Sequence, residues 1–323
     1  MRLNVAYACG EEYARHAGVS MISLFENNKE FQEIYVYLID NGMTEKTKNI
    51  LLNIAKQYNR DITLILCDKL CNNLKADNRN GRYTLATYSK IFFGQFEEID
   101  KIIYFDCDTS ITGSLVQLWN KDISEYYVAG VWDDAAPRLK SSVGIKNNDI
   151  YINTGFVLIN LVNWRKFELE KKAIEFINKY DGKVPFLDQG VINAICKNHI
   201  LLLEPKYDLM SYMLMFRAKE IEALCRVDKM YFQEEIDDAI KNPIVIHWVT
   251  GYYNRPWSKN CTHPLKDRYF KYLEMSPWAG QFINTNLSNK TRILRFIYRI
   301  LPFFVFSMLR NLSDKIKERY DGK

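Results

Sequence analysis

The stretch Lys101-Ile102-Ile103-Tyr104-Phe105-Asp106-Cys107-Asp108 decides the fold class of this chain. Its apolar run is typical of a buried strand, and two acidic residues follow that run at once. In open α/β sheets, ligands bind beyond the carboxyl ends of the strands. The stretch therefore predicts a central strand that carries two carboxylates to the edge of a binding cleft.

Strands and helices alternate on both sides of this stretch. Strand–helix–strand units at this spacing form right-handed crossovers and a mostly parallel sheet with helices on both faces. The sequence therefore predicts an α/β fold with a Rossmann-like sheet. We predict strands over 3–9, 33–39, 62–66, 126–131, 154–160 and 243–247, and helices over 13–25, 45–57 with Thr44 as N-cap, 84–94, 163–179 and after Asp188.

Length and composition indicate one large domain with a short appendage. The chain has 323 residues, of which 48% are hydrophobic, and no apolar run is long enough to span a membrane. Its first residues lack the pattern of a signal peptide, and the seven cysteines are scattered without a paired metal-binding spacing. We therefore expect a cytoplasmic protein.

The net charge of +5 is concentrated near the carboxyl terminus, where residues 290–323 hold nine basic residues against three acids. Apolar residues and arginines alternate there around Pro302, as in basic amphipathic helices. We predict a main domain over 1–285 and a tail over 286–323 that attaches peripherally to the anionic inner face of the cell membrane. Docking of the tail on the main domain is the alternative. Nucleic acid is not expected as a partner, because the positive charge is confined to this tail.

A divalent metal site is predicted from three side chains. Asp106 and Asp108 suit a hard cation, which takes oxygen ligands and leaves positions open for phosphates. A second apolar strand ends in His247, and an imidazole ligand favours Mn²⁺ over Mg²⁺. The alternatives are a solvated turn for the acids and, for His247, an ordinary histidine of the core or of its rim.

Two residues that follow His247 extend this prediction to a diphosphate. Gly251 permits close approach of a ligand to the backbone, and Arg255 can donate two parallel hydrogen bonds to phosphate oxygens. A metal ion and a guanidinium together stabilise the charge that develops when a sugar–phosphate bond breaks.

Five motifs occur in a fixed order along residues 1–265. They are Ala8-Cys9-Gly10-Glu11-Glu12-Tyr13-Ala14, Tyr104-Phe105-Asp106-Cys107-Asp108, Tyr151-Ile152-Asn153-Thr154-Gly155, Phe186-Leu187-Asp188-Gln189-Gly190, and the segment from His247 to Pro256-Trp257. Together they resemble glycosyltransferase family 8, which includes bacterial lipopolysaccharide galactosyl- and glucosyltransferases and the glycogenins.

This resemblance implies a GT-A type fold and a donor that is a UDP-sugar. It implies Mn²⁺ as cofactor, with Mg²⁺ as the alternative, and retention of anomeric configuration. The transferred hexose would be glucose or galactose, and the acceptor a glycan or lipid-linked saccharide in cell-surface polysaccharide or lipopolysaccharide synthesis.

The resemblance also implies roles for single residues. The metal ligands would be Asp106, Asp108 and His247. The donor would be bound by Ala8, Cys9, Gly10, Glu12, Tyr13, Lys90, Asp106, Cys107, Gly251 and Arg255. The catalytic residues would be Asp133, Asn153, Asp188 and Gln189, which would surround the transferred sugar.

The sequence departs from the family pattern at three places. Gly10 stands where many members have an aspartate that contacts uracil, Arg255 replaces the usual lysine, and two extra residues lie between His247 and Pro256. A catalytically silent protein that binds a sugar nucleotide or a glycan is therefore the alternative function. A nucleotidyl- or phosphotransferase is another, because paired acids and a basic residue also serve phosphoryl chemistry.

For the reaction itself, the residues favour front-side attack assisted by the phosphate of the leaving group. Gln189 is a neutral amide and a poor nucleophile. Asp188 is the better candidate if a covalent intermediate forms, although an aspartate at a helix N-terminus also caps free amides.

Overall fold

The computed structural model describes residues 1–74, 85–283, 289–310 and 312. The strands are β1 (Arg2–Cys9), β2 (Glu33–Asp40), β3 (Asp61–Leu66), β4 (Lys101–Phe105), β5 (Thr109–Ile111), β6 (Val128–Gly130), β7 (Phe156–Asn160), β8 (Ile200–Leu202) and β9 (Val245–His247). The α-helices are α1 (Glu11–Asn27), α2 (Glu45–Gln57), α3 (Cys67–Leu70), α4 (Val116–Trp119), α5 (Pro137–Ser142), α6 (Leu161–Lys166), α7 (Leu169–Lys179), α8 (Leu187–Ile195), α9 (Ala218–Cys225), α10 (Gln233–Lys241), α11 (Lys266–Leu273) and α12 (Asn289–Ile300). Leu85–Gln95 and Pro205–Tyr207 form 3-10 helices.

The main sheet has the strand order β3-β2-β1-β4-β7-β6-β8. The pairs β3–β2, β2–β1, β1–β4 and β6–β8 are parallel, whereas β7 runs antiparallel to both of its neighbours. The predicted mostly parallel sheet is confirmed. The carboxyl ends of β1, β2 and β4 consequently meet at one edge, where a ligand is expected to bind.

Hydrophobic residues cover both faces of this sheet. Leu3, Val5 and Tyr7 of β1 belong to one core cluster, which also contains residues of α1 and α2. Ala6, which lies between them in sequence, belongs to the opposite cluster, where the 3-10 helix Leu85–Gln95 and helices α6 to α8 pack. The alternation follows from the two-residue period of side chains along a strand.

A small second sheet brings the end of β9 back to the residues that follow β4. Strand β9 pairs antiparallel with β5, so that His247 lies opposite Thr109. The Trp248 backbone N–H donates to the Asp108 carbonyl at 2.8 Å, and the His247 N–H donates to the Leu209 carbonyl at 3.0 Å. These backbone bonds fix His247 beside the acids that follow β4.

Most predicted elements occur within two residues of their expected ends, and Thr44 caps α2 by accepting from Thr47 N. The single helix predicted over 163–179 is wrong, because α6 and α7 are separate helices. Glu168 lies between them with φ of 52°, in the left-handed region that interrupts a right-handed helix. The helix expected from residue 84 onward is a 3-10 helix from Leu85, and residue 84 lies outside the described residues.

The tail packs one face on the main domain. Phe306 is 2% exposed, and its ring centroid lies 5.9 Å from that of Phe216. The predicted boundary between 285 and 286 falls within 284–288, outside the described residues. Within the part of the chain that the structure describes, no helix is both long and apolar enough to cross a membrane. The opposite face of the tail exposes Ile293, Phe296, Ile300, Phe304, Met308, Leu309 and Leu312.

Candidate active site

The three predicted metal ligands lie together at the ends of β4 and β9. His247 Nε2 lies 3.4 Å from Asp108 Oδ1 and 3.8 Å from Asp106 Oδ2. One ligand atom from each residue lies within 4.8 Å of the other two. Two carboxylates and one imidazole at this spacing fit a divalent cation that accepts both oxygen and nitrogen ligands.

Gly155, which immediately precedes β7, leaves the space beside this group open. A Cβ atom at that position would overlap His247 Cε1 and would lie 2.5 Å from Asp106 Oδ2. The Gly155 carbonyl also accepts a hydrogen bond from Asp106 N at 2.6 Å. The glycine therefore holds the backbone of a predicted metal ligand while keeping side-chain volume out of the site.

Asp208 lies behind His247 and was not identified from the sequence, where a single acid between Tyr207 and Leu209 gives no motif. Its side chain is fully buried, and Oδ1 lies 3.2 Å from His247 Nδ1. A carboxylate beside Nδ1 favours a proton on that nitrogen, which leaves Nε2 as the nitrogen available to a metal. Asp208 thus places a negative charge behind the imidazole, on the side away from Asp106 and Asp108.

Opposite charges set the pKa values in this group. Burial alone would raise the pKa of Asp108, but the hydrogen bond and charge of His247 and the charge of Arg255 outweigh it and lower the pKa to about 2. Burial lowers the pKa of His247, yet Asp208 and Asp108 outweigh burial and raise it well above its usual value. Asp108 is therefore held as a carboxylate, and binding of a cation at Nε2 would release a proton from the imidazole.

Arg255 reaches the same group from the loop after β9. Its Nη2 atom lies 2.7 Å from Asp108 Oδ2, its Nη1 donates to Tyr13 Oη at 2.7 Å, and its Nε donates to the Trp248 carbonyl at 3.2 Å. The side chain keeps 25% of its surface exposed. A fixed guanidinium beside the acids can therefore still contact phosphate oxygens.

A buried ion pair lies on the other side of Gly155. Lys90 Nζ donates to Asp188 Oδ2 at 2.7 Å and to the Thr154 carbonyl at 2.9 Å, and it stands 4.0 Å above the ring centroid of Tyr104. Thr154 Oγ1 donates to the same Asp188 oxygen at 2.9 Å. Burial raises the pKa of Asp106, and the charge of Lys90 opposes that rise, so the two halves of the site act on each other.

Asp133 forms a second polar group with two amides. Its Oδ2 accepts from Asn153 Nδ2 at 2.8 Å and from Gln189 Nε2 at 3.0 Å. Burial, and then the charge of Asp134, raise the pKa of Asp133 to about 7. The structure thus brings together all four residues that were predicted around a sugar, with Asp188 joined to them through Thr154 N and Gln189 Oε1 at 3.3 Å.

The start of helix α8 and its residue Asn193 fix this helix beside the group. Phe186 and Leu187 precede Asp188 with φ of 61° and 53°, left-handed values that non-glycine residues rarely adopt. Asn193 exchanges two hydrogen bonds with the backbone of Ile152. The strained start of α8 and the Asn193 hydrogen bonds thus place Asp188 and Gln189 beside Thr154, which lies before β7.

The amino-terminal motif, residues 8–14, lies at the same edge of the sheet, and its residues differ in burial and in their contacts. The Cys107 thiol donates to the Ala8 carbonyl at 3.4 Å, and Tyr13 is bonded to Arg255 as described. A Cβ atom on Gly10 would lie 3.0 Å from the Asn41 carbonyl oxygen. Cys9 is buried and Glu12 is exposed. Gly251 lies in an exposed turn with φ of 147°, a conformation that favours glycine.

Comparison with known proteins identifies the family. A family model described as Glycosyl transferase family 8 matches residues 4–261. The chain is 27% identical over 282 residues to general stress protein A of Bacillus subtilis, covering 85% of this chain and 94% of that protein. It is 23% identical over 290 residues to lipopolysaccharide 1,3-galactosyltransferase of Salmonella typhimurium, covering 86% and 80%. The chain therefore belongs to glycosyltransferase family 8.

The comparison of structures agrees with the predicted fold. The galactosyltransferase LgtC, solved in complex with donor and acceptor sugar analogs, superposes with a TM-score of 0.69 at 19% identity, covering 90% of this chain and 99% of that one. The GT-A type of fold is confirmed. Because the chain belongs to this family, it is a glycosyltransferase. This activity implies a sugar donor and a saccharide acceptor.

Proposed function

We propose that this glycosyltransferase is a retaining hexosyltransferase that moves glucose or galactose from a UDP-sugar to a glycan or lipid-linked saccharide. Mn²⁺ is the proposed cofactor, with Mg²⁺ as the alternative, and cell-surface polysaccharide or lipopolysaccharide synthesis is the proposed setting. The carrying observation is the convergence of Asp106, Asp108 and His247 beside Arg255. The names of relatives, including the Salmonella galactosyltransferase and an Escherichia coli lipopolysaccharide 1,2-glucosyltransferase, support the hexose and the acceptor class.

In this proposal the diphosphate binds beside the Asp106–Asp108–His247 group and Arg255, which the Arg255–Asp108 ion pair joins. Asp106, Asp108 and His247 would hold a divalent cation, which would supply positive charge to the phosphate oxygens. Arg255, held by Asp108 and Tyr13, supplies a second, permanent positive charge from a fixed position. Preorganised charges of this kind act at the moment of bond cleavage without reorientation.

The sugar binds on the Lys90–Asp133 side of Gly155. The bond from the anomeric carbon to the phosphate oxygen breaks, and its electron pair remains on that oxygen. The acceptor hydroxyl attacks from the same face, and its proton passes to the leaving phosphate. Asp188 shares its Oδ2 with Lys90 and Thr154. A carboxylate engaged in this way is a weakened nucleophile, which supports front-side attack over a covalent intermediate.

UDP release from candidate donors tests the proposal. UDP-glucose, UDP-galactose and their N-acetyl analogues are incubated with the full chain in Mn²⁺ or Mg²⁺, and free UDP is measured. We expect metal-dependent release from at least one hexose donor. Binding of UDP-sugar without release would favour the catalytically silent alternative, and release of pyrophosphate would favour a nucleotidyltransferase.

We also propose that the tail attaches the enzyme peripherally to the anionic cytoplasmic face of the cell membrane. Its outward face has solvent-exposed aromatic and aliphatic side chains, and Arg292 and Arg299 are exposed on helix α12. Each basic side chain near an anionic bilayer contributes about 1 kcal/mol. Attachment there would bring the site to a lipid-linked acceptor.

Sedimentation with lipid vesicles tests this attachment. Phe296 and Phe304, which are 62% and 66% exposed, are replaced together by serine. We expect the unaltered chain to sediment with phosphatidylglycerol vesicles and not with phosphatidylcholine, and the double variant to remain in solution. Equal sedimentation of the two proteins would disprove attachment through this face.

A further inference from the structure

The tail reaches the sugar side of the site through one arginine. Arg310 Nη1 donates to Tyr252 Oη at 2.7 Å, and Arg310 Nη2 lies 3.8 Å from Asp134 Oδ2. Tyr252 Oη in turn lies 3.5 Å from the same oxygen of Asp134. Asp134 is the neighbour in sequence of Asp133, so a residue of the tail is two side chains away from the proposed sugar-binding group.

Aromatic packing holds Arg310 in this position. Phe306, one helical turn earlier, is buried, and its ring centroid lies 5.3 Å from that of Tyr298. Phe216 packs against Phe306 and also meets Tyr252 edge to face, with centroids 5.1 Å apart. The same cluster therefore anchors the tail and supports the tyrosine that Arg310 contacts.

The charge of Asp134 bears directly on Asp133. Asp133 is buried against the amides of Asn153 and Gln189, and two adjacent carboxylates repel each other when both are ionised. The guanidinium of Arg310, 3.8 Å from Asp134 Oδ2, offsets that repulsion by placing a positive charge beside the Asp134 carboxylate. Loss of the guanidinium would free Asp134 to compete for the two amides.

We propose that Arg310 is a positioning residue for the Asp133–Asp134 pair, and that docking of the tail completes the sugar side of the active site. Arg310 touches neither the sugar nor the reacting atoms. It acts by holding Asp134, so that Asp133 keeps its bonds to Asn153 and Gln189. The inference rests on the proposed function for the identity of the ligand, a UDP-hexose.

Three variants of the full chain test this inference. Arg310→Gln removes the charge, Arg310→Lys retains it, and Arg268→Gln makes the same change of charge at an exposed position of α11. Affinities for UDP and for UDP-glucose or UDP-galactose are measured by titration calorimetry in Mn²⁺, and release of UDP gives kcat and KM. The sugar-dependent part of the affinity is the difference between the binding free energy of the UDP-sugar and that of UDP.

For Arg310→Gln we expect kcat/KM to fall roughly 10- to 100-fold, the size of effect that small misplacements of a binding group produce. The sugar-dependent part of the affinity falls as well, while affinity for UDP alone stays unchanged. Arg310→Lys restores most of the loss, and Arg268→Gln shows none. Adding Asp134→Asn to Arg310→Gln recovers part of the loss, because the carboxylate that competes for the two amides is then absent.

The inference is overturned if Arg310→Gln binds and turns over UDP-sugar like the unaltered chain, or if affinity for UDP falls equally. It is also overturned if Arg268→Gln lowers activity and affinity as much as Arg310→Gln does. Failure of the proposed function looks different, since the unaltered chain would then release no UDP. The comparison of UDP with UDP-sugar affinity still tests Arg310 in that case.

Discussion

Two aspartates in the two halves of the site, Asp108 and Asp133, have pKa values that are shifted in opposite directions. On the metal side, His247 and Arg255 lower the pKa of Asp108 to about 2. On the sugar side, Asp133 has only amide partners and a neighbouring carboxylate, and burial with the charge of Asp134 raises its pKa to about 7. Environments that separate the pKa values of carboxyl groups assign them different tasks. A carboxylate that stays ionised suits cation binding. A carboxyl group with a raised pKa suits hydrogen bonding to sugar hydroxyls.

The largest effect is expected from removing the anion on the metal side. Asp108→Asn should lower Mn²⁺-dependent UDP release roughly 1,000-fold, because it removes a proposed metal ligand and the charged partner of Arg255. Release of UDP at saturating metal measures the change. Asp61→Asn, at an exposed position where β3 begins, is the matched control and should be neutral. Activity of Asp108→Asn within tenfold of the unaltered chain would remove the basis of the metal-side assignment.

The second effect concerns stability on the sugar side. Lys90→Met leaves the carboxylate of Asp188 buried without its cation, which should cost about 3–5 kcal/mol in free energy of unfolding. Urea unfolding at pH 7 measures the loss. The double variant with Asp188→Asn should recover part of it, since no unpaired charge then remains. A loss below about 1 kcal/mol for Lys90→Met would show that the pair is not held as an ion pair.

A smaller effect is expected from Asp208, which lies behind the proposed metal ligand His247. Asp208→Asn should weaken Mn²⁺ binding about 10- to 100-fold, because His247 loses the negative charge that favours a proton on Nδ1. Calorimetric titration with Mn²⁺ alone measures this without any donor. Unchanged affinity in a variant that folds normally would mean that His247 is oriented by backbone contacts only.

The smallest effect is a change of pH dependence at Asp133. Its folded-state pKa lies above the ordinary value of 3.8, so the native state binds the proton more tightly than the unfolded state does. This contribution to stability is complete below about pH 4 and is lost as pH rises toward about 7. Asp133→Asn should therefore be less sensitive to a change from pH 5 to pH 8 in urea unfolding than the unaltered chain. Equal sensitivity of the two proteins would place the pKa of Asp133 near its ordinary value.

Local sequence patterns predicted the strand ends that build the metal side. The apolar run before Asp106 and the shorter one before His247 both end at a polar residue, and the fold brings these ends together. The predicted sugar-side residues also meet, although their roles remain proposals. The alternation of apolar residues could not predict the break at Glu168, because Trp164 and Leu169 on either side of it are both buried.

What the sequence determined by itself is therefore the α/β order of elements, the family and the polar residues at the strand ends, since each depends on neighbours within a few positions. Tertiary structure alone decided that Asp208 stands behind His247 and that Arg310 meets Asp134, contacts that join residues 39 and 176 positions apart. It also decided which face of the tail is covered. An amphipathic pattern specifies that one face is to be buried, but the surface that buries it exists only after distant segments have packed.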